Sequence, residues 1–204
     1  MNRETFIQNI QPYVPNGAAD MVFDLIKEDK LKLKITKTRK TKFGDYRTPY
    51  KVDYHTISVN GTLNQQAFLI TLIHEIAHLK VHVNFSKKVA PHGSEWKNTF
   101  KSIMLPFLNP NMFPDEVLRP LANYMKNPKA STTSDLKLYA ALKQLNKEDS
   151  SPMVSDLDLG TLFLYKDSKF EKGLKRRTRI ICYKMPSRKP YLFSPLTEVN
   201  IIKI

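Results

Sequence analysis

The segment Thr71-Leu72-Ile73-His74-Glu75-Ile76-Ala77-His78-Leu79 sets three ionisable side chains inside an apolar run of helical length. From Ala67 to Leu79 the run is apolar on most sides, through Phe68, Leu69, Ile70, Leu72, Ile73, Ile76 and Ala77, so a helix formed there is buried. Two histidines and a glutamate are costly in such a helix unless something pairs with them, and a metal ion does so. Residues four apart share a helical face, so His74 and His78 can aim two imidazoles at one ion. Glu75 follows the first of them and can reach a water held there, as the general base of zinc-dependent hydrolysis does. The blander alternative is two hydrogen-bonded core histidines beside a buried glutamate, groups that are rarely buried unpaired. Asn60-Gly61 closes the preceding segment, and Thr62 with Gln65 three residues on reads as a capping box that starts the helix.

Such a centre needs a third ligand. His82 continues the four-residue series but lies two turns from His74, roughly 12 Å along the axis, too far to share an ion. His92 is better placed. His92-Gly93-Ser94-Glu95-Trp96 opens a second helix with Ser94 as a candidate N-cap. Trp96, Phe100, Ile103 and Phe107 form one stripe, so this helix packs back on the core and returns His92 to the first two ligands, with Gly93 allowing a tight approach. Glu95 is the competing third ligand, since sites of two histidines and one glutamate also exist.

His74-Glu75-Ile76-Ala77-His78 followed by Pro91-His92-Gly93-Ser94-Glu95-Trp96 resembles the SprT-like family, whose eukaryotic members are the Spartan-type proteases. The resemblance extends upstream through Lys40-Thr41-Lys42-Phe43-Gly44-Asp45-Tyr46-Arg47 and His55-Thr56-Ile57-Ser58-Val59-Asn60, and is weak beyond about residue 125. It implies a zinc metallopeptidase with Zn2+ on His74, His78 and His92, and Glu75 as the catalytic acid/base. It also implies protein substrates that are bound or crosslinked to DNA. The alternative is a non-catalytic, basic DNA-binding protein with a structural zinc site, against which the glutamate beside the ligands argues. Several SprT-like proteins carry a four-cysteine zinc ribbon after the protease domain. The single Cys182 excludes that ribbon, and an intrachain disulfide with it.

Net charge is +14, from 33 basic and 19 acidic side chains, which makes nucleic acid the first partner to expect. One basic cluster runs from Lys27 to Lys51 and includes Lys37, Arg39, Lys40 and Lys42; another, from Lys166 to Lys189, includes Arg176, Arg177 and Arg179. These seven are the candidate nucleic-acid-binding residues. Tyrosines near the clusters, such as Tyr46 and Tyr183, offer stacking faces, although half-buried strand residues are the commoner use. No apolar run approaches a membrane span, and the first residues do not lead into a signal-peptide core, so no membrane association and a cytoplasmic location are expected.

The fold class expected is α+β. Short helices over Thr5–Tyr13 and Ala18–Glu28 precede the alternating strand Leu31–Lys37, a turn at Phe43–Tyr46 into another strand, and a strand over Tyr54–Asn60. Three antiparallel strands before the metal-binding helix fit a zincin-like domain, in which an edge strand beside the cleft can hold an extended peptide. Pro114-Asp115-Glu116-Val117-Leu118 begins a later helix, with proline and acids in its first turn, that Pro120 is expected to kink or shorten. Short β-like segments at Gly160–Lys166, Arg179–Lys184, Pro190–Phe193 and Glu198–Ile204 suggest a small basic β domain standing where relatives carry the ribbon. The expected division is 1–126 for the zincin-like domain, 127–156 for a linker with one helix, capped by Ser134, and 157–204 for the β domain.

Overall fold

A computed structural model describes residues 2–37, 42–85, 89–131, 134–145 and 151–202. The chain divides into two compact units, residues 1–132 and 133–204.

In the first unit, α1 (Arg3–Ile10) and α2 (Ala18–Ile26) precede a sheet of β1 (Leu31–Thr36), β2 (Gly44–Arg47) and β3 (His55–Asn60). β1 keeps the strict alternation of its sequence, with Lys32 and Lys34 exposed between half-buried Leu31, Leu33 and Ile35. The sheet is mixed, which corrects the expected all-antiparallel order. The strands lie in the order β1-β3-β2, with β3 parallel to β1 and antiparallel to β2. β3 takes the centre because Ile57, Ser58, Val59 and Asn60 are all buried, so both of its faces and both of its edges are covered. With the chain running up, down and up, a third strand inserted between the first two must parallel the first. β2 is left as an edge.

The central helix α3 (Gln65–Asn84) packs on β2, β3 and α4 (Ser94–Met104). Its cap differs from the expected box. Asn64 is the N-cap and accepts from the Ala67 N–H at 2.8 Å, while Thr62 is held by the Asn60 side chain in the turn before. α4 likewise starts one residue early, with Gly93 as N-cap and Ser94 as its first helical residue. Trp96, Phe100 and Met104 form its buried stripe, and Ile103 is only half-buried. α5 (Asp115–Lys126) runs unbroken through Pro120, whose ring forgoes one hydrogen bond, to the Glu116 carbonyl.

The second unit opens with α6 (Leu136–Gln144), capped by Asp135 rather than by Ser134, and continues into a five-stranded antiparallel sheet. Its strands are β4 (Leu162–Tyr165), β5 (Ser168–Lys175), β6 (Ile180–Lys184), β7 (Lys189–Phe193) and β8 (Asn200–Ile201), in the order β7-β6-β5-β4-β8. β5, with two neighbours and eight residues, is absent from the expected strands. Phe163, Phe170, Ile180, Cys182 and Phe193 fill the core of this unit together with Val154, Leu157 and Val199. Among the described residues, no helix is long and apolar enough to cross a membrane.

Candidate metal centre

α3 brings His74 and His78 to one face, as their spacing requires. The chain then returns through Ala90-Pro91-His92-Gly93, a turn closed by the Gly93 N–H donating to the Ala90 carbonyl at 2.9 Å. Proline at its second position and a positive φ at its third are the marks of a type II turn. The third position is His92, with φ at 57°, a backbone that usually falls to glycine. The left-handed residue is thus the imidazole bearer itself, not Gly93. Gly93 has a different role: a Cβ there would lie 3.0 Å from the Ala90 carbonyl oxygen.

The turn carries His92 to the other two. The Nε2 atoms of His74 and His78 lie 3.3 Å apart, those of His78 and His92 3.0 Å, and those of His92 and His74 3.2 Å. A triangle of imidazole nitrogens cannot satisfy itself. Each Nε2 holds either a proton or a lone pair, so at least one pair is mismatched. A tetrahedral ion bonded to nitrogen at about 2.0–2.1 Å spaces its ligands about 3.3–3.4 Å apart, close to these edges. Among the described residues, these three histidines are the one group whose ligand atoms converge for a metal ion. Glu95 is not among them; its Oε2 accepts from the Ser94 hydroxyl.

Trp96 braces the triangle. Its ring centroid lies 4.6 Å from that of His74, 4.7 Å from His92 and 5.4 Å from His78, and it stacks on Phe100 at 5.0 Å. Burial, with the neighbouring imidazoles adding to it, pulls His74 down to about 3 and His78 to about 4, and burial also lowers His92. All three are therefore neutral at pH 7, the form that ligates a metal.

Glu75 is buried against β2. Burial pushes its carboxyl up to about 8, with the Asp45 carboxylate acting in the same direction and Lys42 and the Tyr46 backbone N–H acting against it. Gly44 makes the fit. A Cβ on Gly44 would stand 2.6 Å from Glu75 Oε1 and 2.8 Å from Thr71 Cγ2. The sequence alone marks Gly44 as a turn residue and hides this role, although an isolated glycine beside a strand pattern signals close approach.

Tyr46, which the sequence offers only as a stacking face near a basic cluster, stands beside the histidines. Its ring lies parallel to His78 with centroids 6.4 Å apart, and its hydroxyl hydrogen-bonds His55 Nδ1 at 2.9 Å. Burial, then the charge of Asp29, pushes its phenol up to about 12. His55 and the exposed His82 gather at Tyr46, with their rings edge-on at 5.4 Å, outside the ligand triangle.

Of the candidate nucleic-acid-binding residues, Lys37 is exposed, and Lys42 is exposed while pairing with Asp45 at 3.1 Å. Arg39 and Lys40 lie outside the described residues. In the second unit, Arg176, Arg177 and Arg179 are exposed on the turn from β5 to β6, closed by the Arg176 N–H to the Arg179 carbonyl at 2.7 Å.

A stretch of 42 residues is 48% identical to Protein SprT of Pectobacterium carotovorum, covering 20% of this chain and 24% of that protein. Protein SprT of Erwinia tasmaniensis is 50% identical over 42 residues, again 20% of this chain and 24% of the relative. The chain thus spans about a quarter of the length of the relatives it matches. No solved structure matches. The profile of the SprT-like family matches residues 14–115, a span that holds all three imidazoles, Glu75 and Gly44. The chain belongs to the SprT-like family.

Proposed function

We propose that the chain is a zinc-dependent endopeptidase of zincin-like architecture, acting on proteins bound or crosslinked to DNA. The observation that carries this reading is the triangle of neutral imidazoles with a buried carboxyl one residue from its first member. His74, His78 and His92 would hold the ion. Bound zinc supplies a Lewis acid at the scissile carbonyl and lowers the pKa of a water at the site to about 7.

The chain's own groups do the rest. Glu75 takes a proton from the attacking water and returns it to the leaving nitrogen. Its burial raises its basicity toward that task, and the Tyr46 N–H keeps the carboxylate directed. β2 is an edge of its sheet and passes beside Glu75, so an extended peptide can add to it by backbone hydrogen bonds and present its own carbonyl to the centre. Trp96 and Phe100 exclude water behind the ligands. DNA as the partner is supported by the net charge of +14 and by the exposed arginines at 176, 177 and 179.

The test uses purified zinc-loaded chain, a DNA-binding protein as substrate, and DNA added or withheld. Wild type is expected to cleave, and faster with DNA. Glu75→Gln is expected to bind zinc equally and to cleave about 10²–10⁴-fold more slowly. Equal rates for the two proteins would sink the reading.

A further inference from the structure

A cavity of about 270 Å³ opens beside His78 and His92. Its apolar walls are Val81 from α3, Phe85 just after its end, Val89, Ala90 and Pro91 from the approach to His92, and Trp96 from α4. Tyr46 and His82 complete the lining. Among the described residues, no carboxylate, ammonium or guanidinium lines it.

We propose that this cavity selects the substrate: it receives an uncharged apolar side chain, of leucine to phenylalanine size, from the residue flanking the scissile bond. The proposal rests on the peptidase reading above and adds to it a preference that this reading does not contain.

Position is the first argument. Two of the three imidazoles that converge on the ion also line the cavity, so a peptide whose carbonyl is at the centre has a neighbouring side chain at the cavity mouth. Size is the second. A cavity of about 150 Å³ already admits a benzene ring, so this one takes the largest apolar side chains. Chemistry is the third. Among the described residues the walls carry no counter-charge, so a cationic side chain entering them would lose its hydration unpaired, and an anionic one would find its opposite charge at the metal ion itself, where it would compete with the scissile carbonyl. A cationic one would in addition approach a metal ion.

Two measurements test the proposal. The first compares kcat/KM for peptides that differ only at one residue flanking the cleaved bond. Leucine or phenylalanine there is expected to exceed glycine, lysine and glutamate by about tenfold or more, the scale on which an apolar pocket discriminates. Phe85→Asp, which sets a carboxylate in the wall, is expected to move the preference toward lysine. A role for Phe85 in stability alone would lower all rates together.

The second measurement does not depend on cleavage. The chain has one tryptophan, so its indole N–H gives a single resonance in the NMR spectrum of the zinc-loaded protein. N-acetyl-phenylalanine amide is expected to shift that resonance, and N-acetyl-lysine amide is not. Cleavage with no preference among the peptides would overturn the pocket and leave the peptidase reading standing. Absence of all cleavage, with the phenylalanine amide still shifting Trp96, would keep the apolar pocket and remove its hydrolytic setting. A Trp96 signal indifferent to both amides overturns the proposal outright.

Discussion

Two residues set how Glu75 can work. Gly44 leaves the space that the carboxylate fills, since a methyl group at that position would stand only 2.6 Å from Glu75 Oε1. Gly44→Ala is therefore expected to push the carboxylate off β2 and to lower kcat about 10²-fold, the usual cost of a misplacement near 1 Å, while zinc content stays at one per chain. Kinetics with metal analysis checks this, and Gly44→Ala should add little to the defect of Glu75→Gln. The second expectation concerns pH. The Glu75 carboxyl is raised from 4.5 to about 8 in the folded protein. Between those values the unfolded chain has lost a proton that the folded chain retains, so folding weakens as pH rises through that window. In metal-free protein, wild type should therefore lose stability relative to Glu75→Gln from about pH 4.5 to about pH 8, and denaturant titrations across that range read the difference. His74 and His78 were legible as a pair in the sequence, because a four-residue helical spacing fixes direction in space, whereas the sequence left His92 and Glu95 as rivals and only the turn at His92 brings its ring to the other two. Gly44 was not, because a glycine next to an aspartate reads equally as a turn, and only the packing of α3 tells the two uses apart.

Among the elements, α4 matters for what it presses against the ligands. Trp96 is fully buried and touches all three imidazoles and Phe100. Trp96→Ala is expected to cost about 3–5 kcal/mol of stability and to weaken zinc binding as well, since the rings lose the wall that orients them. Chemical denaturation and a competition titration with a chromophoric chelator would separate the two losses. The apolar stripe of α4 was readable because its period is helical. Strand direction was not, because alternation in β1 records which face is buried and says nothing about which neighbour stands beside it, and β3, covered on both faces, does not keep even that record. β5 escaped notice for local reasons. The hairpin into it turns on Lys166 and Asp167, both at positive φ and neither the glycine that usually marks such a turn. Gly173 then breaks its alternation at a bulge, where a Cβ would lie 2.8 Å from the Ile181 carbonyl oxygen.

At the scale of the whole molecule, all three imidazoles belong to the first unit, and the arginine turn belongs to the second. The basic balance of the chain was plain from composition, whereas the division near residue 132 depends on contacts that composition does not encode. The converging imidazoles would also have a mechanical meaning if they hold an ion. His78 and His92 stand fourteen positions apart along the chain, one on a helix and one on a left-handed turn, and an ion bound between them would act as a cross-link. Its binding free energy would then be added to the folding of the unit that holds the histidines, about 4 kcal/mol at a free-zinc concentration a thousandfold above Kd. Calorimetry over a zinc series should show one melting transition that climbs with the metal and a second, from residues 133–204, that stays where it was.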